Sequence, residues 1–282
     1  MRCKAIIVFV VALALFALVR FCHHATAGFR LSKIENSTFK RQPENPLFSF
    51  PKEMEPILAQ KFYYLARGLE SFVFLSEDGQ HVLKLFNNRK KRRLWWFSKI
   101  PLLQNRADTA REKIERTKRS YLLAYSTLKE ELALEYLHLF VEDPCDKRVT
   151  IVDKIGICHS VDLNSVGFLI QRKAEIAYDY LEHLKQENKI EEAKEAIHSL
   201  IHLVQIRCSK GIGDHDPLIR TNCGFFEKRA ILLDAGPFFP DPILKEEKSA
   251  KQEMHRIGSH LKQWLGDHFP EIYEEVDRAV LQ

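Results

Sequence analysis

Apolar and polar positions divide the chain into stretches of different period. Residues 5–19 (AIIVFVVALALFALV) are apolar without interruption. Residues 28–56 are polar and punctuated by Pro43, Pro46, Pro51 and Pro56, the composition of a linker or arm. From about residue 60 short apolar runs begin. Phe72–Ser76 and His81–Phe86 read as strands on either side of Glu77-Asp78-Gly79-Gln80, a hairpin turn signal. Asp108 or Thr109 is a fair helix N-cap, and Ile114, Tyr121, Leu122, Tyr125, Leu128 and Leu132 recur mostly at three and four, predicting a helix to about Phe140. Strands follow at 149–159 and 165–172, then helices at 176–187 and 190–209. Short strands at 223–227 and 230–233 and a helical tail over 246–280 complete the pattern. Strands first and helices later predict an α+β architecture with two lobes.

The first stretch has its own logic. Arg2 and Lys4 precede the apolar run, Arg20 ends it, and Ala25-Thr26-Ala27 has the small-x-small form of a signal-peptidase site. Fifteen residues rise about 23 Å as a helix, short of the roughly 30 Å hydrocarbon core. Residues 1–27 therefore read as a signal peptide or a membrane anchor, which makes the protein membrane-associated or exported. Basic residues lie on both sides (Arg2 and Lys4; Arg20, Arg30 and Lys33), so charge leaves the orientation undetermined.

Composition removes several classes. With 282 residues, 45% hydrophobic and 29% charged, the chain has the content of a globular protein with a substantial core. A net charge of +5 does not read as a nucleic-acid protein. Beyond the leader, Cys145, Cys158, Cys208 and Cys223 contain no CxxC, so nothing suggests structural zinc. They read as buried thiols or as two disulfides, with three connectivities open.

Three segments carry candidate chemistry. Gly68 opens a strand and hairpin that lead to Lys84 inside an apolar strand. Lys210-Gly-Ile-Gly-Asp214-His215-Asp216 continues through Pro217 to Asn222, just after a helix. Ala230-Ile-Leu-Leu-Asp234-Ala-Gly236, before Pro237, is a strand ending in Asp-x-Gly. In this order and spacing, residues 60–240 resemble the protein-kinase-like superfamily, nearer to lipopolysaccharide-sugar and small-molecule kinases than to full protein kinases. The resemblance implies a two-lobed fold with a small antiparallel sheet plus helix as N-lobe (57–171, with a basic insertion at 87–107) and a reduced helical C-lobe (172–282).

It also implies roles. Lys84 would pair with the phosphates of ATP, and Glu115, ahead of Glu112, would pair with Lys84. Gly68 would let backbone approach the phosphates. Gln171 and Lys173 would sit where the interlobe hinge meets adenine. Asp216 would accept the proton of the acceptor hydroxyl, with Asp214 competing for that role. Asn222 and Asp234 would hold Mg2+. Departures are plain: Asp214-His215-Asp216 replaces His-Arg-Asp or His-Gly-Asp, and Asp216 and Asn222 are six apart where the family usually has five. A single glycine stands in the Gly loop, and Asp234-Ala-Gly236 replaces Asp-Phe-Gly. No Ala-Pro-Glu follows Gly236, which disfavours a peptide substrate. The expected activity is ATP- and magnesium-dependent phosphoryl transfer to a hydroxyl, of a lipid or saccharide near a membrane. The alternative is a catalytically inactive kinase-fold binding or scaffold protein of the cell envelope.

Arg89, Lys90, Lys91, Arg92 and Arg93 run straight into Leu94-Trp95-Trp96-Phe97. Bases beside aromatics suit an anionic lipid or membrane surface. Single-stranded nucleic acid is the other partner of such surfaces but is disfavoured here. A solvated insertion whose aromatics pack on the domain is the third reading.

Overall fold

A computed structural model describes residues 2–45, 49–236 and 238–281, with the side chains of 2–5 and 8 left aside. Pro46 and Pro237, and the side chains of Arg2 and Lys4, lie outside that description. The chain is α+β, 51% helix and 21% strand.

The apolar run forms α1 (Arg2–Ala25). Its described large apolar side chains, from Ile6 to Phe21, are 51–69% exposed. Among the described residues no helix is long and apolar enough to cross a membrane. Left-handed Ala27 (φ 48°) and Gly28 (φ 70°) end α1, and their N–H groups return to the His24 and His23 carbonyls.

The described parts of 28–56, residues 28–45 and 49–56, carry buried anchors rather than forming a free arm. Phe29 and Ile34 are buried, the Phe29 ring stands edge-on to Phe72 and Phe74 at 5.1 and 5.6 Å, and Phe39 bridges to Phe140. Met54 and Leu58 are buried beside α2 (Glu55–Leu58). A few apolar anchors in a polar segment are enough to dock it, which composition averages away.

Next come β1 (Lys61–Arg67), β2 (Ser71–Ser76) and β3 (His81–Phe86), with left-handed Gly79 (φ 72°) at the hairpin turn. Helix α3 (Arg89–Ser98) carries the basic run, and α4 (Gln104–Thr127) follows. The periodicity predicts α4 to about 140, but it stops at Thr127. The chain turns at left-handed Ala133 (φ 43°), and β4 (Leu134–His138) is a buried strand. Short apolar runs do not distinguish buried strand from buried helix by period alone. The strand expected at 149–159 is two, β5 (Arg148–Val152) and β6 (Cys158–Asp162), divided by a turn at Gly156; β7 (Phe168–Arg172) is next.

These seven strands form one sheet in the order β4-β7-β3-β2-β1-β5-β6. It is larger than the expected small antiparallel sheet, and it is mixed, because β5 runs parallel to β1. Parallel pairing needs a long crossover, and the chain between Arg67 and Arg148 supplies one.

The remaining elements are β8 (Glu175–Ile176), α5 (Ala177–Gln186), α6 (Ile190–Ser209), β9 (Ile212–Asp214), α7 (Ile219–Asn222), β10 (Cys223–Phe226), β11 (Arg229–Leu232), β12 (Phe238–Pro240), α8 (Glu247–His268) and α9 (Glu275–Leu281). Helix α6 is their centre, since Ala193, Ile197, Leu200, Ile201 and Val204 repeat at three and four and are buried. Two small sheets, β11-β10-β8 and β12-β9, accompany it.

Contacts divide the chain into two units. One comprises 1–103 and 136–170, the other 104–135 and 171–282. Helix α4 therefore groups with the second unit rather than with residues 57–103. The first unit's core includes Phe62, Phe72, Phe74, Leu83, Leu85, Ile151 and Phe168. The described cysteines are free thiols, with Cys145, Cys208 and Cys223 buried and Cys22 and Cys158 exposed.

Candidate functional site

The second unit gathers the carboxylates. Asp216 lies between β9 and α7. Its N–H donates to Asp214 Oδ1 (2.8 Å), and its carbonyl accepts from Asn222 Nδ2 (2.6 Å). Both backbone polar groups are thus held while the carboxylate is exposed. The six-residue separation to Asn222 is taken up by Pro217, Leu218 and the single turn α7.

Asn222 leads directly into β10. Cys223 pairs with Leu232 across the β10–β11 hairpin, and the Leu233 N–H donates to the Asn222 carbonyl (2.8 Å). Asp234 comes next, so one hairpin sets Asn222 and Asp234 at the ends of its two legs. Asp234 Oδ1 accepts the Gly236 N–H (3.0 Å), an Asx turn that orients the carboxylate.

Two further contacts close the loop. Ser120 on α4 donates its hydroxyl to the Ala235 carbonyl (3.0 Å) and accepts the Phe238 N–H (2.8 Å), spanning the segment after Asp234. Phe238 then pairs with Asp214 in the β12–β9 ladder. Gly213 has no room for a Cβ under the Phe239 ring.

Electrostatics registers the crowding. Burial pushes the Asp214 carboxyl above its usual range, and the carboxylates of Asp216 and Asp234 push it further. The Asp216 N–H and the Arg207 guanidinium act in the opposite sense. Arg207 is almost fully buried on α6, with Nη1 on the Ile212 carbonyl (2.7 Å) and Nη2 on Glu253 Oε1 (3.0 Å).

Among the described residues no three His, Cys, Asp or Glu side chains converge as a metal-binding group. Magnesium does not require three, because it keeps several waters and takes one or two carboxylates plus phosphate oxygens. Asn222 Oδ1 and the Asp234 carboxylate are hard oxygen donors of the right kind, and Asn222 has already spent its Nδ2 on the protein.

The other expected residues have these places. Lys84 is half-buried on β3, opposite Val73 of β2. Gly68 donates its N–H to Ser71 (2.9 Å) in the β1–β2 turn, and a Cβ there would meet nothing nearer than 3.7 Å, so the fold itself does not demand glycine. Glu115 pairs with Lys118 one turn along α4 (2.6 Å), a buried lysine the sequence reading overlooked; Glu112 is exposed.

Gln171, expected near adenine, is buried. Its Nε2 donates to the carbonyls of Leu132 (2.6 Å) and Leu232 (2.8 Å), so both amide hydrogens serve the fold. Lys173 Nζ donates to the Ala174 carbonyl (2.5 Å). Two residues that shape the carboxylate loop escaped the sequence reading, Ser120 and Arg207. Each is a polar residue on the apolar stripe of a helix, the signal that could have found it.

No protein-family model matches the chain, and no curated protein matches it.

Proposed function

We propose that the protein is an ATP- and magnesium-dependent phosphotransferase with a two-lobed, protein-kinase-like arrangement, acting on the hydroxyl of a lipid or saccharide. The observation that carries this reading is the hairpin that sets Asn222 and Asp234 side by side, with Asn222 reaching back to clamp Asp216. Phosphoryl transfer needs positioned charge more than covalent chemistry. In this reading Asn222 Oδ1 and Asp234 hold Mg2+, which neutralises phosphate charge when bound. Lys84 pairs with the phosphates, and Asp216 orients and deprotonates the acceptor hydroxyl. The exposed apolar surface of α1 supports work at a membrane.

Thermal unfolding with Mg-ATP, and with ATP plus chelator, tests it. At a hundredfold excess over Kd, Mg-ATP should stabilise by about 2.7 kcal/mol. Asp234→Asn should remove the metal-dependent part of that shift. An unchanged shift in the variant would show that Asp234 is no metal ligand. The second reading, an inactive scaffold of the cell envelope, draws on a Gly-loop position that accepts a side chain. It prevails if the wild type shows no Mg-ATP shift and transfers phosphate to no acceptor, water included.

A further inference from the structure

The five consecutive bases of α3 do not share one fate. Lys90 pairs with Glu70, and Lys91 Nζ donates to the carbonyls of Asn36 (3.2 Å) and Thr38. These two serve the fold, and burial pushes the Lys91 ammonium down to about 8. Arg89, Arg92, Arg93 and Trp96 recur at i, i+3, i+4 and i+7, one face of the helix. That face lines a cavity of about 450 Å³ within the first unit.

The opposite wall brings His23 from the last turn of α1, Lys33, and Arg67 from the end of β1. Local contacts hold Lys33 and Arg67 in place. Arg67 Nη1 donates to the Ala27 carbonyl (2.8 Å), and Lys33 Nζ to the Gly28 carbonyl. A Cβ on Gly28 would come within 2.6 Å of Arg67 Nη1 and 2.7 Å of His23 Nε2, so only glycine admits both. Asn88 Nδ2 donates to the Ser32 and Glu35 carbonyls (2.8 Å each), fastening the start of α3 to the Lys33 segment.

Among the described residues no carboxylate lines the cavity, and none of its lysine or arginine side chains is paired with one. The Lys33 ammonium lies below its usual range, first through burial and then through Arg67, Arg30, Arg92 and Arg89. An anion would relieve that mutual repulsion. Arginine forks also suit the planar, bidentate recognition of phosphate.

The surroundings narrow the anion. Helix α1, with its apolar side chains exposed, ends at this cavity, and Trp95 and Trp96 stand exposed at 57% and 61% on the neighbouring helix. Tryptophans beside arginines mark the headgroup level of a bilayer. A volume of about 450 Å³ lies within the usual span of small-molecule sites. We infer that the cavity binds the phosphate headgroup of an anionic phospholipid whose acyl chains lie along α1. A choline headgroup brings its own cation and is repelled. The site shares no residue with Asp216, Asn222 or Asp234, so it stands or falls separately from the phosphotransferase reading.

Calorimetric titration of the full chain in a non-ionic detergent decides the matter. The probes are dioctanoyl phosphatidic acid, dioctanoyl phosphatidylcholine, inorganic phosphate and a twelve-nucleotide oligouridylate. Phosphatidic acid should bind at least about tenfold more tightly than each of the others. Arg92→Gln and Arg67→Gln should each weaken it by about tenfold or more, Arg92→Lys by less. Lys40→Gln, an exposed cation of the same unit outside the cavity, should leave it unchanged. Arg92→Gln lies on an exposed helix face, so it keeps the test valid should Arg67→Gln fail to fold. Equal binding of phosphatidylcholine, or full affinity in Arg92→Gln, overturns the inference. So does inorganic phosphate binding as tightly as the lipid, which would make this a free-anion site. Tighter binding of oligouridylate overturns it in favour of nucleic acid.

Discussion

The first unit collects cations and the second collects carboxylates, and the two clusters are assembled in different ways. Lys33, Arg67, Arg89, Arg92 and Arg93 come from the turn after α1, a strand end and one face of a second helix, and among the described residues no acid lines their cavity. Asp214 ends strand β9, and Asp216 and Asp234 lie on loops held by hydrogen bonds, with Arg207 as partial counter-charge to Asp214. Crowding like charges costs folding energy, and each cluster sheds that cost only on meeting the opposite charge. On the readings proposed above, the cationic cavity would take an anion and the carboxylate loop a magnesium ion that itself carries phosphate. The contrast teaches that uncompensated charge held by a well-bonded frame is a better pointer to a ligand than net composition, which here is only +5.

The carboxylate side of this contrast is tested most strongly at Asp216. On the phosphotransferase reading, Asp216→Asn keeps the shape and removes the proposed proton acceptor, so turnover should fall by about 10²–10⁴-fold while ATP affinity stays close to wild type. Steady-state kinetics beside nucleotide titration separates the two quantities. Asp214→Asn stopping transfer while Asp216→Asn does not would move the base by two residues.

The cationic side depends on how α1 is joined to the first unit. Phe29, packed edge-on to Phe72 and Phe74, is the buried anchor just beyond Gly28. Phe29→Ala should cost about 3–5 kcal/mol in urea unfolding. A loss below 1 kcal/mol would show that the segment is only laid on the surface.

Ser120 sharpens the comparison from within the second unit. Ser120→Ala leaves the Phe238 N–H and the Ala235 carbonyl without that hydroxyl, a cost of about 1–3 kcal/mol. It should also shrink the metal-dependent shift given by Mg-ATP, because the segment after Asp234 loosens. A variant less stable by that amount but with the full shift would confine Ser120 to the fold.

The smallest expected effect is the pH dependence of Asp214. A carboxyl held above its usual range keeps its proton in the folded state after the unfolded chain has lost it. Stability therefore falls as pH rises from the ordinary value of about 3.9 through the raised one. Asp214→Asn retains an oxygen for the Asp216 N–H and removes the charge. It should melt about 1–3 °C above wild type at pH 7 and converge with it near pH 3. The same difference at both pH values would remove the raised carboxyl assigned to Asp214, and Asp214→Asn melting below wild type only at pH 7 would reverse its sign.

Local pattern by itself determined the helices over 177–186 and 190–209, the β2–β3 and β10–β11 hairpins, and the order in which Lys84, Asp216, Asn222 and Asp234 follow one another. Helical period, turn glycines and sequence spacing are properties of neighbouring residues, so they are visible in one dimension. Only the tertiary structure decided that residues 134–138 form a strand, that β5 lies parallel to β1, and that the segment carrying Phe29 and Ile34 is packed. It alone turned Gln171 inward onto Leu132 and Leu232 and divided the basic run of α3 into two bases for the fold and three for the cavity. It alone brought Ser120 across more than a hundred residues to the loop after Asp234. Each of these depends on which distant backbone group or apolar face is available as a partner, and burial and hydrogen bonding between distant residues leave no period in the local sequence.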